Sequence, residues 1–205
     1  MRAGKLSKLT QEQVKNLYDM QRNLNKKIFD KAQIIGNIEH DQGWLIKFAN
    51  EALYESIELS NAIFEGDYQN ETVELVDILH FVLSMGLVLK FDEFNATFLI
   101  EEDIYRKDEI TIDARLHDLQ NSIAAISDCT QRKWWGKKEV DWESAEIEYI
   151  TLLYNFSYLV FDMGLTLEQI YDVYCQKNQV NHERQNKGYD LDNKTEDDNR
   201  GIIIE

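Results

Sequence analysis

Not one proline interrupts the 205 residues of this chain. Proline removes a backbone donor and ends helices, so its absence leaves long segments free to be helical throughout. Only nine glycines occur, and apolar residues recur at three- and four-residue intervals along most of the sequence. That pattern predicts an all-α protein, a helical bundle with helices near 10–30, 42–65, 70–91, 113–130, 141–163 and 166–187. Thr166 follows Gly164 and precedes Leu167 and Glu168, which marks it as an N-cap. Between Phe91 and Arg106 the periodicity fades, and a loop with a short helix is expected there. Residues 1–189 read as a single domain, and 190–205 as an acidic, flexible tail ending in Ile202, Ile203 and Ile204, apolar enough to dock on a neighbour.

Charge excludes whole classes of function. With 38 Asp and Glu against 22 Lys and Arg, the formal net charge is -16. Such a surface repels nucleic acids and acidic membranes. No apolar run reaches the ~20 residues needed to span a bilayer, and Met1–Thr10 lack the apolar core of a signal peptide. Cys129 and Cys175 are too few for a disulfide framework. The chain is expected to be cytoplasmic, with no nucleic-acid or membrane partner. A polyanionic substrate can still bind where metal ions or a basic cluster reverse the local sign.

Both means of reversal are present. From Glu51 to Leu89 there are eight carboxylates and no Lys or Arg. Glu55 and Glu58 form one pair three residues apart, and Glu74 and Asp77 another, so each pair projects from one helix face. Glu55 and Glu58 border the apolar stripe of Leu45, Ala49, Ala52, Leu59 and Ile63 and should be half-buried. The next helix is apolar almost all round, from Val73 to Leu87, except for one strip of Glu74, Asp77, His80 and Ser84. A helix apolar on every side is a buried one. Burying carboxylates without a partner costs several kcal/mol. If the two helices face each other, four carboxylates converge on a site that needs a cation. An all-oxygen donor set suits a hard ion, and magnesium is the natural choice beside phosphate. The blander alternative is that these acids meet solvent or distant lysines.

The basic cluster runs from Lys177 to Tyr189, where Lys177, Asn181 and Arg184 fall at i, i+4 and i+7 on one helical face. Lysine and arginine hold phosphate oxygens by charge-assisted bonds, and asparagine adds a neutral donor. Gly188 ends the helix and turns Tyr189 back toward that face. A solvated polar helix end would give the same pattern. Near the other terminus Gln21 and Asn25 are also four apart. Side-chain amides offer a donor and an acceptor together, as a base edge such as that of uracil requires, but amides on a helix surface are common and the pair alone selects nothing. A faint repeat overlays Glu74–Leu79 on Glu148–Leu153 and Glu55–Glu58 on Asn121–Ala124, with three of the four acids lost in the second copy. Chance likeness of helical segments explains it as well as a degenerate duplication does.

Taken in order, Gln21-x-x-Leu24-Asn25, Glu55-x-x-Glu58-Leu59, Glu74-Leu-Val-Asp77-Ile-Leu-His80-Phe81 and the Lys177–Tyr189 segment resemble the all-alpha dimeric dUTPases. These belong to the wider all-alpha nucleotide pyrophosphatase group, and the resemblance runs from about Asp19 to Tyr189. It implies a magnesium-dependent hydrolysis of dUTP to dUMP and pyrophosphate, with dUDP also accepted, in a homodimer. It further implies that Glu55, Glu58, Glu74 and Asp77 hold the ions, two or more per site, and that Glu58 deprotonates the attacking water. Lys177, Asn181, Arg184 and Tyr189 would bind the phosphate chain, and Gln21, Asn25 and His80 would face the uracil.

One segment departs from the family. A Trp-Lys-x-Trp run usually follows the first acidic pair, whereas here Ser60 to Gly66 contains no tryptophan, and Trp134-Trp135 lie in the second half between Lys133 and Lys137. That departure bears on base recognition more than on metal chemistry. A related pyrophosphatase preferring dCTP or a modified nucleotide, and a non-catalytic helical partner protein, are the alternative readings.

Overall fold

Each helix of the computed structural model begins where a short polar side chain can close its first turn. The structure describes residues 8–34, 36–91, 110–133, 135–136, 139–186, 199 and 201–204. Among them are α1 (Gln11–Lys31), α2 (Gln42–Glu65), α3 (Tyr68–Val88), α4 (Ile112–Asp128), α5 (Trp142–Asp162) and α6 (Leu167–Asn186). Thr10 opens α1 in a capping box with Gln13, and Asp41, Asp67, Thr111 and Asp141 cap α2 to α5. Thr166 does the same for α6: its Oγ1 accepts from the Gln169 amide at 3.1 Å while its own amide donates to Gln169 Oε1 at 2.9 Å. The expected N-cap is therefore present, and each such cap stabilises its helix by about 1 kcal/mol. No strand occurs among the described helices and loops, so the all-α expectation holds. Most of Phe91–Arg106, and the Gly188 and Tyr189 turn, lie outside the described residues.

Helix α3 is the axis of the molecule. α1, α2, α5 and α6 all contact it, and Leu75, Val76, Ile78, Val82 and Leu83 are fully enclosed. Burying a side chain of that size stabilises the fold by about 1.5–3 kcal/mol, which is why a helix with almost no solvent face takes this position. α2 doubles back onto α3 across Gly66, whose φ of 73° is the left-handed conformation that ends α2. α4 and α5 form a second intimate pair. The two copies of the faint repeat thus lie on two helix pairs, α2/α3 and α4/α5. Gly86 is required by close approach rather than by its backbone angle. A Cβ there would overlap the Tyr149 hydroxyl and come within 2.8 Å of the Tyr18 ring. Tyr149 donates to the Val82 carbonyl at 2.9 Å, so Tyr18 donates to Tyr149, also at 2.9 Å.

Of residues 190–205, only 199 and 201–204 are described. Ile202 is enclosed in the core and Ile204 packs against it, while Ile203 faces outward. The backbone of Ile203 bonds twice to the Gln176 side chain of α6, both at 2.9 Å, and Gln69 of α3 donates to the Ile202 carbonyl at 3.3 Å. Alternation of inward and outward side chains lets this short segment bury Ile202 and half-bury Ile204. No single described helix is long and apolar enough to cross a membrane.

Candidate active site

The α2–α3 hairpin brings three of the four expected carboxylates together. One oxygen each of Glu55, Glu58 and Glu74 lies within 4.8 Å of the others. Glu74 is buried and Glu55 half-buried, but Glu58 is exposed rather than half-buried as its place beside the stripe suggested. Three carboxylate groups so close repel one another, and a divalent cation between them converts that repulsion into attraction. Oxygen ligands on one magnesium sit roughly 3–4 Å apart, given metal–oxygen distances of about 2.1 Å. The cluster is close to that span and offers only oxygen, so its residues fit a hard divalent ion.

Asp77 is placed otherwise. Its Oδ2 accepts from Lys177 Nζ at 2.8 Å, and Lys177 is only 2% exposed. A basic residue therefore does serve the acidic region, brought in by α6 from the far end of the sequence. Packing of α6 on α3 supplies what the local sequence lacks.

One turn further along the polar strip, a buried network links α1, α3 and α6. Gln21 Oε1 accepts from the Tyr174 hydroxyl at 2.8 Å and lies 2.7 Å from His80 Nδ1. Since that oxygen can only accept, His80 carries its proton on Nδ1 and leaves Nε2 as a lone pair, 3.4 Å from Asn181 Nδ2. Burial, then the charges of Lys177 and His182, pull the His80 pKa down to about 3, so the ring is neutral. Gln21 Nε2 donates to Asn25 Oδ1 at 2.8 Å, and Asn25 Nδ2 donates to Ser84 Oγ at 3.1 Å. Gln21, Asn25 and His80, singled out for base recognition, are thus in one connected cluster and are all buried. Of the cluster, Asn25 lines a cavity of about 560 Å³, whose other walls mix Phe29, Ile34 and Leu87 with Arg22, Lys26 and Glu39. That volume is in the range of small-molecule sites.

The phosphate-binding candidates stand on one face of α6, as their spacing predicts. Lys177 reaches Asp77, Asn181 reaches His80, and Arg184 donates to Asn199 Oδ1 at 3.4 Å. Lys177 donates to the same Asn199 oxygen at 3.1 Å. Tyr189 lies outside the described residues. Of the displaced tryptophans, Trp134 also lies outside them, and Trp135 is 70% exposed. In the segment where the family usually carries tryptophan, Phe64 projects at the end of α2 with 93% of its surface exposed.

Sequence reasoning passed over two participants. Tyr174 shares the α6 face with Lys177, one turn earlier, and that spacing could have flagged it. Asn199 carried no signal, because its role comes from docking of a distant segment.

No curated protein matches the chain. A family model described as dUTPase matches residues 13–189, spanning the acidic hairpin, the buried amide network and the α6 face. The chain therefore belongs to the all-alpha dUTPase family and is a hydrolase that cleaves dUTP.

Proposed function

We propose that Glu55, Glu58, Glu74 and Asp77 form a magnesium centre of two or more ions, at which dUTP is cleaved to dUMP and pyrophosphate, and dUDP to dUMP and phosphate. The observation that carries the reading is the approach of three carboxylates from facing helices to within 4.8 Å. When bound, magnesium supplies charge screening for the polyphosphate and acidifies a coordinated water. Glu58 is the general base of this reading: it is the most exposed of the three, and its carboxylate would take the proton of a water entering from solvent. Lys177 and Arg184 hold phosphate oxygens and offset the charge that develops on the leaving group, and Asn181 adds a neutral donor. Tyr189 is assigned to the same group from the sequence.

The neutral His80 ring and the Gln21 and Asn25 amides form a rigid polar wall for the base. Their mutual bonds fix which atoms donate and which accept, so a cytosine edge, with donor and acceptor exchanged at two positions, meets a pattern that does not match it. The cavity beside Asn25 is the space available to the nucleoside. A homodimeric, cytoplasmic enzyme completes the reading. Tyr54, Ile57 and Phe64 on α2 and Ile147 and Ile150 on α5 are exposed apolar side chains of the kind a partner copy covers.

The test is turnover by Glu58→Gln beside the parent, with pyrophosphate release measured on dUTP, dCTP and dTTP. The variant should keep the parent's circular dichroism and lose turnover by about a hundredfold or more. Retention of parental turnover would remove Glu58 from the mechanism. Equal rates on the three nucleotides would remove the amide wall from base choice.

A further inference from the structure

Beyond the stretch that matches the family, the chain returns to the site. Asn199 is buried, and its side-chain oxygen accepts from Lys177 Nζ at 3.1 Å and from Arg184 at 3.4 Å. Those are the two cations assigned to the phosphate chain, seven residues and two helical turns apart on α6. Lys177 is 2% exposed, and among the described residues its partners are Asp77 and Asn199. Enclosed and bonded on two sides, that ammonium opens to a phosphate oxygen when one of the two partners moves aside.

Asn199 is the partner more easily replaced. Its oxygen is neutral, whereas Asp77 forms a charged pair with Lys177 at 2.8 Å. It is also held by a short segment, through the two Gln176 bonds to Ile203, the Gln69 bond to Ile202, and the burial of Ile202. Its single oxygen bridges two cations in the way a phosphate oxygen does. Unlike a carboxylate, it adds no negative charge of its own beside them.

We infer that Asn199 and residues 201–204 act as an intramolecular strap over the phosphate site, with the Asn199 oxygen holding the place of a phosphate oxygen until nucleotide displaces it. The inference rests on the assignment of Lys177 and Arg184 to phosphate. Displacement costs the strap's bonds, so weakening the strap tightens phosphate binding and strengthening it does the reverse.

The probe is inorganic pyrophosphate with magnesium, titrated by calorimetry into the full-length parent, Asn199→Ala, Asn199→Asp, Gln176→Ala and Lys177→Gln. Asn199→Ala should bind about three- to tenfold more tightly than the parent, the value of one polar contact no longer displaced. Gln176→Ala, which loosens the anchor without touching the cations, should change in the same direction. Asn199→Asp should bind more weakly, because a carboxylate competes better with phosphate. In the parent, pyrophosphate should speed hydrogen exchange at the Ile203 amide, which is bonded to Gln176 in the closed state. Weaker binding by Asn199→Ala, or slower exchange at Ile203, would overturn the strap and make Asn199 a support for the cations instead. If Lys177→Gln binds pyrophosphate as well as the parent, the phosphate assignment itself fails. If it binds more weakly while Asn199→Ala does not tighten, only the strap fails.

Discussion

Lys177 Nζ lies 2.8 Å from Asp77 Oδ2, so a buried cation of α6 neutralises an acid of the α3 strip. Two parts of the proposed chemistry, ion binding and phosphate binding, meet in this one pair. While Asp77 is held by Lys177, the other three acids remain within 4.8 Å of one another.

Lys177→Gln should therefore destabilise the protein by roughly 1–3 kcal/mol in metal-free solution, less than a fully buried pair because Asp77 is 21% exposed. Urea unfolding measures it. Saturating magnesium should shrink the deficit, since the ion then replaces the lost ammonium as partner of Asp77. An equal deficit with and without magnesium would separate Asp77 from the ion site.

His80 gives the stability a pH dependence of definite sign. Burial, with Lys177 and His182 nearby, lowers its pKa from the ordinary histidine value near 6.5 to about 3. The unfolded chain therefore binds a proton at this position before the folded one does. Stability from this residue is complete above about pH 6.5 and is lost as the pH falls toward about 3, at roughly 1.4 kcal/mol per unit between the two values. Unfolding free energies between pH 7 and about 4.5 should fall more steeply for the parent than for His80→Gln. The His182 pKa is lowered in the same sense, chiefly by burial, and it contributes a slope of the same sign to both proteins. Identical slopes would mean that His80 is not buried as a neutral ring.

Tyr174→Phe removes one of the two contacts to Gln21 Oε1 and leaves the carboxylate cluster untouched. The expected result is a stability loss of about 1 kcal/mol, a higher KM for dUTP, and a kcat close to the parent's. A fall in kcat at unchanged KM would place the amide network in the chemical step rather than in base binding.

Much of this architecture was legible before any coordinates. Helix α3 announced its central position because its only polar residues share one strip, and a buried helix leaves no other pattern possible. The approach of Glu55, Glu58 and Glu74 followed from three-residue spacing on two adjacent helices. Local periodicity carries no information about contacts across the whole chain, and those account for the differences. The Asp77–Lys177 pair depends on how α6 crosses α3. The exposure of Glu58 depends on where the hairpin meets solvent. The docking of Ile202 depends on two bonds from Gln176 to a backbone, which have no signature in residue type. Gln21 and Asn25 were a pair four residues apart and His80 one of four polar residues on the α3 strip, and nothing in that spacing showed that the three form one bonded cluster.

Magnesium titration, followed by calorimetry on the full-length protein with a non-hydrolysable dUTP analogue, tests the central claim most directly. The parent should bind magnesium saturably, and Glu74→Gln, judged folded by circular dichroism, should lose about tenfold or more in affinity. A parent that binds no magnesium with or without the analogue, or a Glu74→Gln protein that binds it as the parent does, would contradict a metal centre at the α2–α3 hairpin.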